Sequence, residues 1–320
     1  MILKTGGSQT KMGQNSGKNI PIGSGHQISG NHIPIGSSQQ ISGNLGSQNS
    51  IPKTLSDNYE TMQQLTQALR RAGLEKANLL IAIDFTKSNI WQGKETFEGK
   101  CLHDVAICEG EYTGSGVLNP YEYVLTVAGE QIEEFDDDKI FPTCIFGHRS
   151  AEGQYLKPLK VNGKDPQGVS EVLQAYRQAV SENALSGGTM FEPIINWAMK
   201  YARDGEYHIL VIIGDGCIED KIATKKALAR AGSVPLSVIF VGVGDGSDPE
   251  NKEDKWATMR DLDDNPSGDL DNWQSVYLTH LSKNSENPGV NLARNMFMEI
   301  PEQFAYFKRK GMIGKKENEN

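Results

Sequence analysis

Asp84-Phe85-Thr86-Lys87-Ser88 sets one carboxylate and two hydroxyls at alternate positions, directly after the apolar run 77–83. A second carboxylate stands in Gly214-Asp215-Gly216, which follows the aliphatic run 209–213. Between them, Leu185-Ser186-Gly187-Gly188-Thr189 is a small polar loop that opens a helical stretch. Asp84, Thr86, Ser88, Thr189 and Asp215 together offer two carboxylates and three hydroxyls, with no His or Cys. An all-oxygen set of low charge suits a hard cation, Mg²⁺ or Mn²⁺, which retains waters and an open position. It suits zinc poorly. Taken alone, each piece also reads as a helix cap or a tight turn. Their order favours a site, because each lies at the end of a core strand or the start of a helix.

The elements that must position these groups follow from hydropathy. The runs 77–83, 140–146, 208–213 and 236–241 are too uniformly apolar for strands with one wet face, and read as central strands of a parallel sheet. Helical stretches at 59–72, 120–131, 168–180, 191–202, 220–231 and 290–308 alternate with them. This rhythm predicts an α/β fold, doubly wound (Rossmann-like), with a mostly parallel sheet flanked by helices. Ligands of such sheets bind outside the carboxyl ends of the strands, where the candidate residues fall. Phe297, Ile300, Phe304 and Phe307 recur at helical spacing and predict a core face. Trp91 and Phe97 are expected to pack inward. The acidic runs 133–138 and 261–271 are expected to be solvated loops, with a partner-facing acidic surface as the rival reading.

The chain has 320 residues, with Lys+Arg 32 against Asp+Glu 41 and a net charge of -9. An acidic balance argues against nucleic acid as partner. No run approaches the ~18 apolar residues of a membrane span, and the first residues lack a signal-peptide core, so no direct membrane insertion is expected. Four cysteines without a Cys-x-x-Cys pair are no disulfide framework, which points to a reducing, cytoplasmic setting. The six histidines show no metal spacing, and Gly242-Val243-Gly244-Asp245-Gly246 lacks the Gly-x-Gly-x-x-Gly spacing of a nucleotide loop.

Residues 1–53 form a separate region. Within 1–50, Gly, Ser, Gln and Asn make up 30 residues, with no Phe, Tyr, Trp, Asp or Glu. Such a chain cannot offset its ordering entropy by burial. Ile20-Pro21-Ile22-Gly23-Ser24 recurs after 13 residues as Ile33-Pro34-Ile35-Gly36-Ser37. This reads either as a duplication within a flexible arm or as a twofold peptide ligand, and both stay open.

Asp84-Phe85-Thr86-Lys87-Ser88-Asn89, Asn119-Pro120-Tyr121-Glu122, Leu185-Ser186-Gly187-Gly188-Thr189-Met190-Phe191 and Glu299-Ile300-Pro301-Glu302-Gln303 come in an order that resembles the copine-type von Willebrand factor A domain. The resemblance covers roughly 54–312, leaving 313–320 as a charged tail. It implies a metal-ion-dependent adhesion site. Thr86 and Ser88 would bind the cation directly, Thr189 directly or through water, and Asp84 and Asp215 mainly through bridging waters. A partner protein's carboxylate would fill the vacant position. One departure is Gly214, where the family usually has Thr before Asp-Gly. Copines carry C2 domains before this domain, and a plant group of ubiquitin ligases carries a RING finger after it. Neither is seen here, so calcium-triggered membrane binding and enzymatic activity are not expected. The implied function is an intracellular metal-dependent protein-interaction module. The alternative is a structural component of a large cytoskeletal or ciliary assembly, held by the arm, with an incidental metal site. The sequence is silent on oligomeric state.

If residues 1–50 add no packed core, their removal should leave the Tm nearly unchanged in a calorimetric scan. A drop of many degrees would show that the arm carries folding energy.

Overall fold

The computed structural model describes residues 62–314, apart from 106–117, 134, 150–154, 203–204, 217, 247–253, 255, 267 and 283–287. The arm, its repeat, residues 315–320, Cys108 and Cys217 lie outside the described residues.

The four apolar runs all become strands of one sheet. They are β1 (Asn78–Asp84), β2 (Thr143–Phe146), β4 (His208–Gly214) and β5 (Leu236–Gly242). Two further strands, β3 (Leu156–Leu159) and β6 (Trp273–Tyr277), complete the order β3-β2-β1-β4-β5-β6. All neighbours pair in parallel except β2 with β3. The predicted run 140–146 begins as a strand only at Thr143, because Pro142 has no N–H for a ladder. β3 contains Pro158, which is tolerated at a sheet edge.

Successive strand residues point to opposite faces. Leu80, Ala82, Leu210 and Ile212 join one continuous cluster with residues of α4 (Glu192–Tyr201), α5 (Lys221–Ala231) and α6 (Ala257–Asp264). Leu79, Ile81, Ile209 and Val211 face the other way, where α2 (Pro120–Ile132) packs on β1 and β4. α3 (Gly168–Glu182) packs beside α2. α1 (Met62–Ala72), α7 (Leu278–Ser282), α8 (Pro288–Phe297) and α9 (Ile300–Arg309) complete the helices among the described residues. The predicted single helix 290–308 is thus two. Pro301 has no N–H for the Phe297 carbonyl four residues back and its ring crowds that carbonyl, so α8 ends at Phe297, while proline suits the first turn of a new helix. Phe297, Ile300, Phe304 and Phe307 are nonetheless all buried.

Chain order places β2 and β3 on one side of β1, then crosses to β4 on the other. The crevice at this reversal, outside the carboxyl ends of β1 and β4, is the natural ligand position of a doubly wound sheet. Ile83 pairs with Ile213, so Asp84 and Asp215 leave adjacent strands at the same end.

The acidic runs are only partly solvated. Asp136 is buried and accepts N–H groups of Leu79 (3.3 Å) and Lys139 (2.9 Å), bracing the start of β1. Asp271 is buried too; desolvation and the nearby Asp263 push its carboxyl up to about 7. Asp261 is partly exposed, as expected, but it belongs to α6 and not to a loop, and it pairs with Lys225 and Lys221. Among the described residues, no helix is long and apolar enough to cross a membrane.

Ile212 is fully buried in the central strand. Ile212→Ala should cost about 2–5 kcal/mol in urea unfolding, and a loss below 1 kcal/mol would mean that this layer repacks freely.

Candidate metal centre

Asp84 ends β1 with its side chain wholly buried. Its Oδ1 accepts the Thr86 N–H at 2.7 Å, while Oδ2 is buried with no hydrogen-bond partner among the described residues. Desolvation raises the carboxyl to about 6, and hydrogen bonding with Thr86 only partly offsets this. The chain of contacts continues from Thr86 Oγ1 to Ser88 Oγ (3.0 Å) and from Ser88 Oγ to Asp215 Oδ1 (3.0 Å). Ser88 donates its one hydroxyl proton to Asp215, which leaves its oxygen to accept from Thr86. Thr86, Ser88, Thr189 and Asp215 line one cleft of about 340 Å³. Asp84 lies beneath it, reached through Thr86. The structure therefore brings the five sequence-predicted residues to one place at the switch point.

This donor set can be tested against a cation. Among the described residues, no group of three or more His, Cys, Asp or Glu side chains is placed to hold a metal. What the cleft offers is hydroxyl oxygens above buried carboxylates, hard donors that match Mg²⁺ or Mn²⁺. The unpartnered Asp84 Oδ2 is the feature a cation or its bound water would satisfy. Gly214 matters here as well. A Cβ at this position would stand 3.1 Å from Asp84 Oδ2, so the glycine leaves room beside the carboxylate.

Each loop is held by side chains distant in sequence. Tyr155 accepts the Met190 N–H at 2.6 Å and donates back to the Met190 carbonyl, while Glu219 N–H donates to Thr189 O at 2.8 Å. Asp220 accepts the N–H groups of Phe191 and Glu192, capping α4 from another loop. Ser186 N–H donates to Phe85 O at 3.0 Å. Gly147 has φ 71°, and a Cβ there would run into the Thr86 methyl.

A buried polar cluster braces the first loop from below. His103 Nε2 lies 2.8 Å from the Asp84 carbonyl, which can only accept, so Nε2 carries the proton. Nδ1 must then accept the Tyr176 hydroxyl at 2.8 Å, and Tyr176 in turn accepts Asn119 Nδ2–H at 3.1 Å. Asn119 caps α2 in a reciprocal box with Glu122, and Glu122 binds Arg177 at 2.7 Å. The imidazole stacks on Tyr121 (centroids 4.1 Å apart), whose hydroxyl donates to Asn89. Asn89 donates to the Thr86 carbonyl at 3.0 Å. Burial lowers His103 to about 3, so it is neutral at physiological pH. Sequence spacing did not single out His103, Tyr155 or Asp220, because their partners are remote in the chain. Of Trp91 and Phe97, only Phe97 packs inward; Trp91 is 51% exposed at the cleft.

The sequence model of the copine family matches residues 111–316. Thr189 and Asp215 fall inside that match, and Asp84, Thr86 and Ser88 precede it. The E3 ubiquitin-protein ligase RGLG1 of Arabidopsis thaliana is 37% identical over 268 residues, covering 78% of this chain and 51% of that protein. Copine family protein 2 of Caenorhabditis elegans is 34% identical over 274 residues, covering 84% of this chain and 3% of that protein. The chain spans about half the length of the plant relative. A solved von Willebrand factor type A protein from Catenulispora acidiphila superposes with a TM-score of 0.39 at 13% identity, over 74% of this chain and 43% of that one.

Replacing His103 by Ala strands a buried carbonyl and a buried hydroxyl and should cost about 3 kcal/mol. His103→Gln adds a pH signature. A histidine held neutral when folded favours the native state above its unfolded pKa, and that advantage fades as pH falls from about 6.5 towards 3. The stability gap between wild type and His103→Gln should therefore narrow on acidification, by up to about 1.4 kcal/mol per pH unit. A gap constant with pH would show that His103 is not held neutral.

Proposed function

Because the chain belongs to the copine family, we propose that its von Willebrand factor A-type domain is a protein-interaction module that works through a bound divalent cation, Mg²⁺ or Mn²⁺. Thr86, Ser88 and Thr189 supply hydroxyl oxygens, and Asp84 and Asp215 act from beneath through bridging waters and hydrogen bonds. A carboxylate from a partner protein takes the open position. The observation that carries this reading is the buried, unpartnered Asp84 Oδ2 under a cleft lined by Thr86, Ser88, Thr189 and Asp215.

The bound cation would supply a centre of positive charge facing the cleft. The residues do the rest. Neutral hydroxyl donors leave much of that charge unquenched, so a partner's anion is attracted. The carboxylates below offset the charge enough for the ion to stay. Hydrogen bonds to the Asp84 carbonyl and the Thr86 carbonyl hold the donors in position before anything binds, which lowers the ordering cost of association. The free Cys101 and Cys144 thiols fit the cytoplasm. The alternative, an assembly component held by its arm, rests on residues outside those described. The ligase activity in the plant relative's name belongs to a protein about one and a half times this length, of which the shared region is about half.

Millimolar Mn²⁺ should raise the Tm of the wild type and leave that of Asp84→Asn unmoved. Ser88→Ala and Thr189→Ala should each weaken Mn²⁺ by about tenfold in calorimetry, or about 1.4 kcal/mol. Affinity should fall as pH drops below about 6, where Asp84 regains its proton. A wild type blind to Mn²⁺ at pH 8 would end the reading.

A further inference from the structure

Ile90 and Trp91 are two of the few large hydrophobic side chains that stand well exposed among the described residues, and they are neighbours. Trp91 lines the candidate metal cleft beside Ser88 and Lys87. The loop that carries it is firmly held. The Trp91 and Gln92 N–H groups donate to Ser88 O at 3.0 and 3.1 Å, and the Gln92 carbonyl accepts the Asp245 N–H at 2.8 Å. The Asp245 carboxylate then takes the N–H groups of Glu95 and Thr96 and the Thr96 hydroxyl. Phe97, six residues on, is buried. A fixed backbone therefore turns one aromatic ring inward and leaves the other facing water at the cleft. Exposure of an indole on a rigid loop adds nothing to folding; its position suits contact with whatever enters the cleft.

The spacing restricts that occupant. Ser88 and Trp91 are three residues apart on a single 3₁₀ turn, Lys87–Ile90 with Trp91 as its cap, a rise of roughly 6 Å. Side chains two apart on one face of an extended strand are about 6.6 Å apart. Lys87 is exposed on a cleft wall that also carries Asp215 and Glu219, so an anionic segment is accommodated there by Lys87 together with the bound cation. An acidic lipid surface is disfavoured, because the chain's net charge is -9 and all of residues 51–320 together are more negative still.

We infer that Trp91 sets the specificity of the cleft. The partner presents an extended acidic segment, its Asp or Glu directed at Ser88 and Thr189, with an aromatic or aliphatic residue two positions away packed on the Trp91 indole. This rests on the metal-dependent reading given above.

The test is capture of the full chain, in millimolar Mn²⁺, by bead-displayed peptides with a fixed central Glu and all residues at the flanking positions. The wild type should enrich aromatic or aliphatic residues two positions from the Glu by about tenfold over Ser. Trp91→Ser should lose that preference, and Trp91→Phe should keep most of it. Ile140→Ser, at the opposite end of the sheet, should select as the wild type does. Equal selection by Trp91→Ser overturns the inference, as does Mn²⁺ uptake with no flank preference; the metal reading survives both. No Mn²⁺ uptake in calorimetry fails the metal reading and this inference with it. Trp91-dependent sedimentation with phosphatidylserine vesicles in place of peptide selection overturns it in favour of a lipid surface.

Discussion

Asp84 and Asp215 emerge side by side from the two central strands, and both are buried. Two like charges in a place poor in water repel, and each also loses hydration. The surroundings answer that constraint in parts. Thr86 donates its N–H to one carboxylate, Ser88 donates its hydroxyl to the other, and the Thr86 hydroxyl joins them. Asp84 Oδ2 is left over. The position of the pair is not a local matter, because it follows from the reversal of strand order between β1 and β4.

Once the carboxylates are placed, the loops around them must be rigid enough to keep the hydroxyls near. Loop backbone cannot satisfy itself as a helix or ladder does, so its polar groups need outside partners. Here those partners are single side chains, each serving a loop remote in the chain. His103 takes the Asp84 carbonyl, Tyr155 clamps Met190, Asp220 caps α4, and Asp245 pins the segment after Trp91. His103 also links the first loop to the capping box of α2 through Tyr176 and Asn119. A bound ion would meet donors that are already ordered.

The copine-family match covers only part of this arrangement. The family match spans the loops of Thr189 and Asp215 but begins after the Asp84–Ser88 segment. The first loop is held in place by its own hydrogen bonds and by its position at the end of β1.

Uniformly apolar runs are legible in a sequence because only a strand covered on both faces tolerates them, and β1, β2, β4 and β5 were visible for that reason. The Asp-x-Thr-x-Ser segment was legible because the hydroxyl spacing and the strand before it are local facts. β3 and β6 carry no such run, and the break between α8 and α9 rests on one proline whose effect depends on packing. Asp136 and Asp271 sit in acidic stretches that look solvated, yet backbone N–H groups or neighbouring elements enclose them. Trp91 and Phe97 have similar local surroundings and opposite fates. Sequence by itself determined the fold class and the chemistry of the five candidate residues, since both follow from residue type and short spacing. Only the tertiary structure decided which polar groups meet, which acids are buried and which aromatic ring faces the cleft, because those outcomes depend on contacts between segments far apart in the chain.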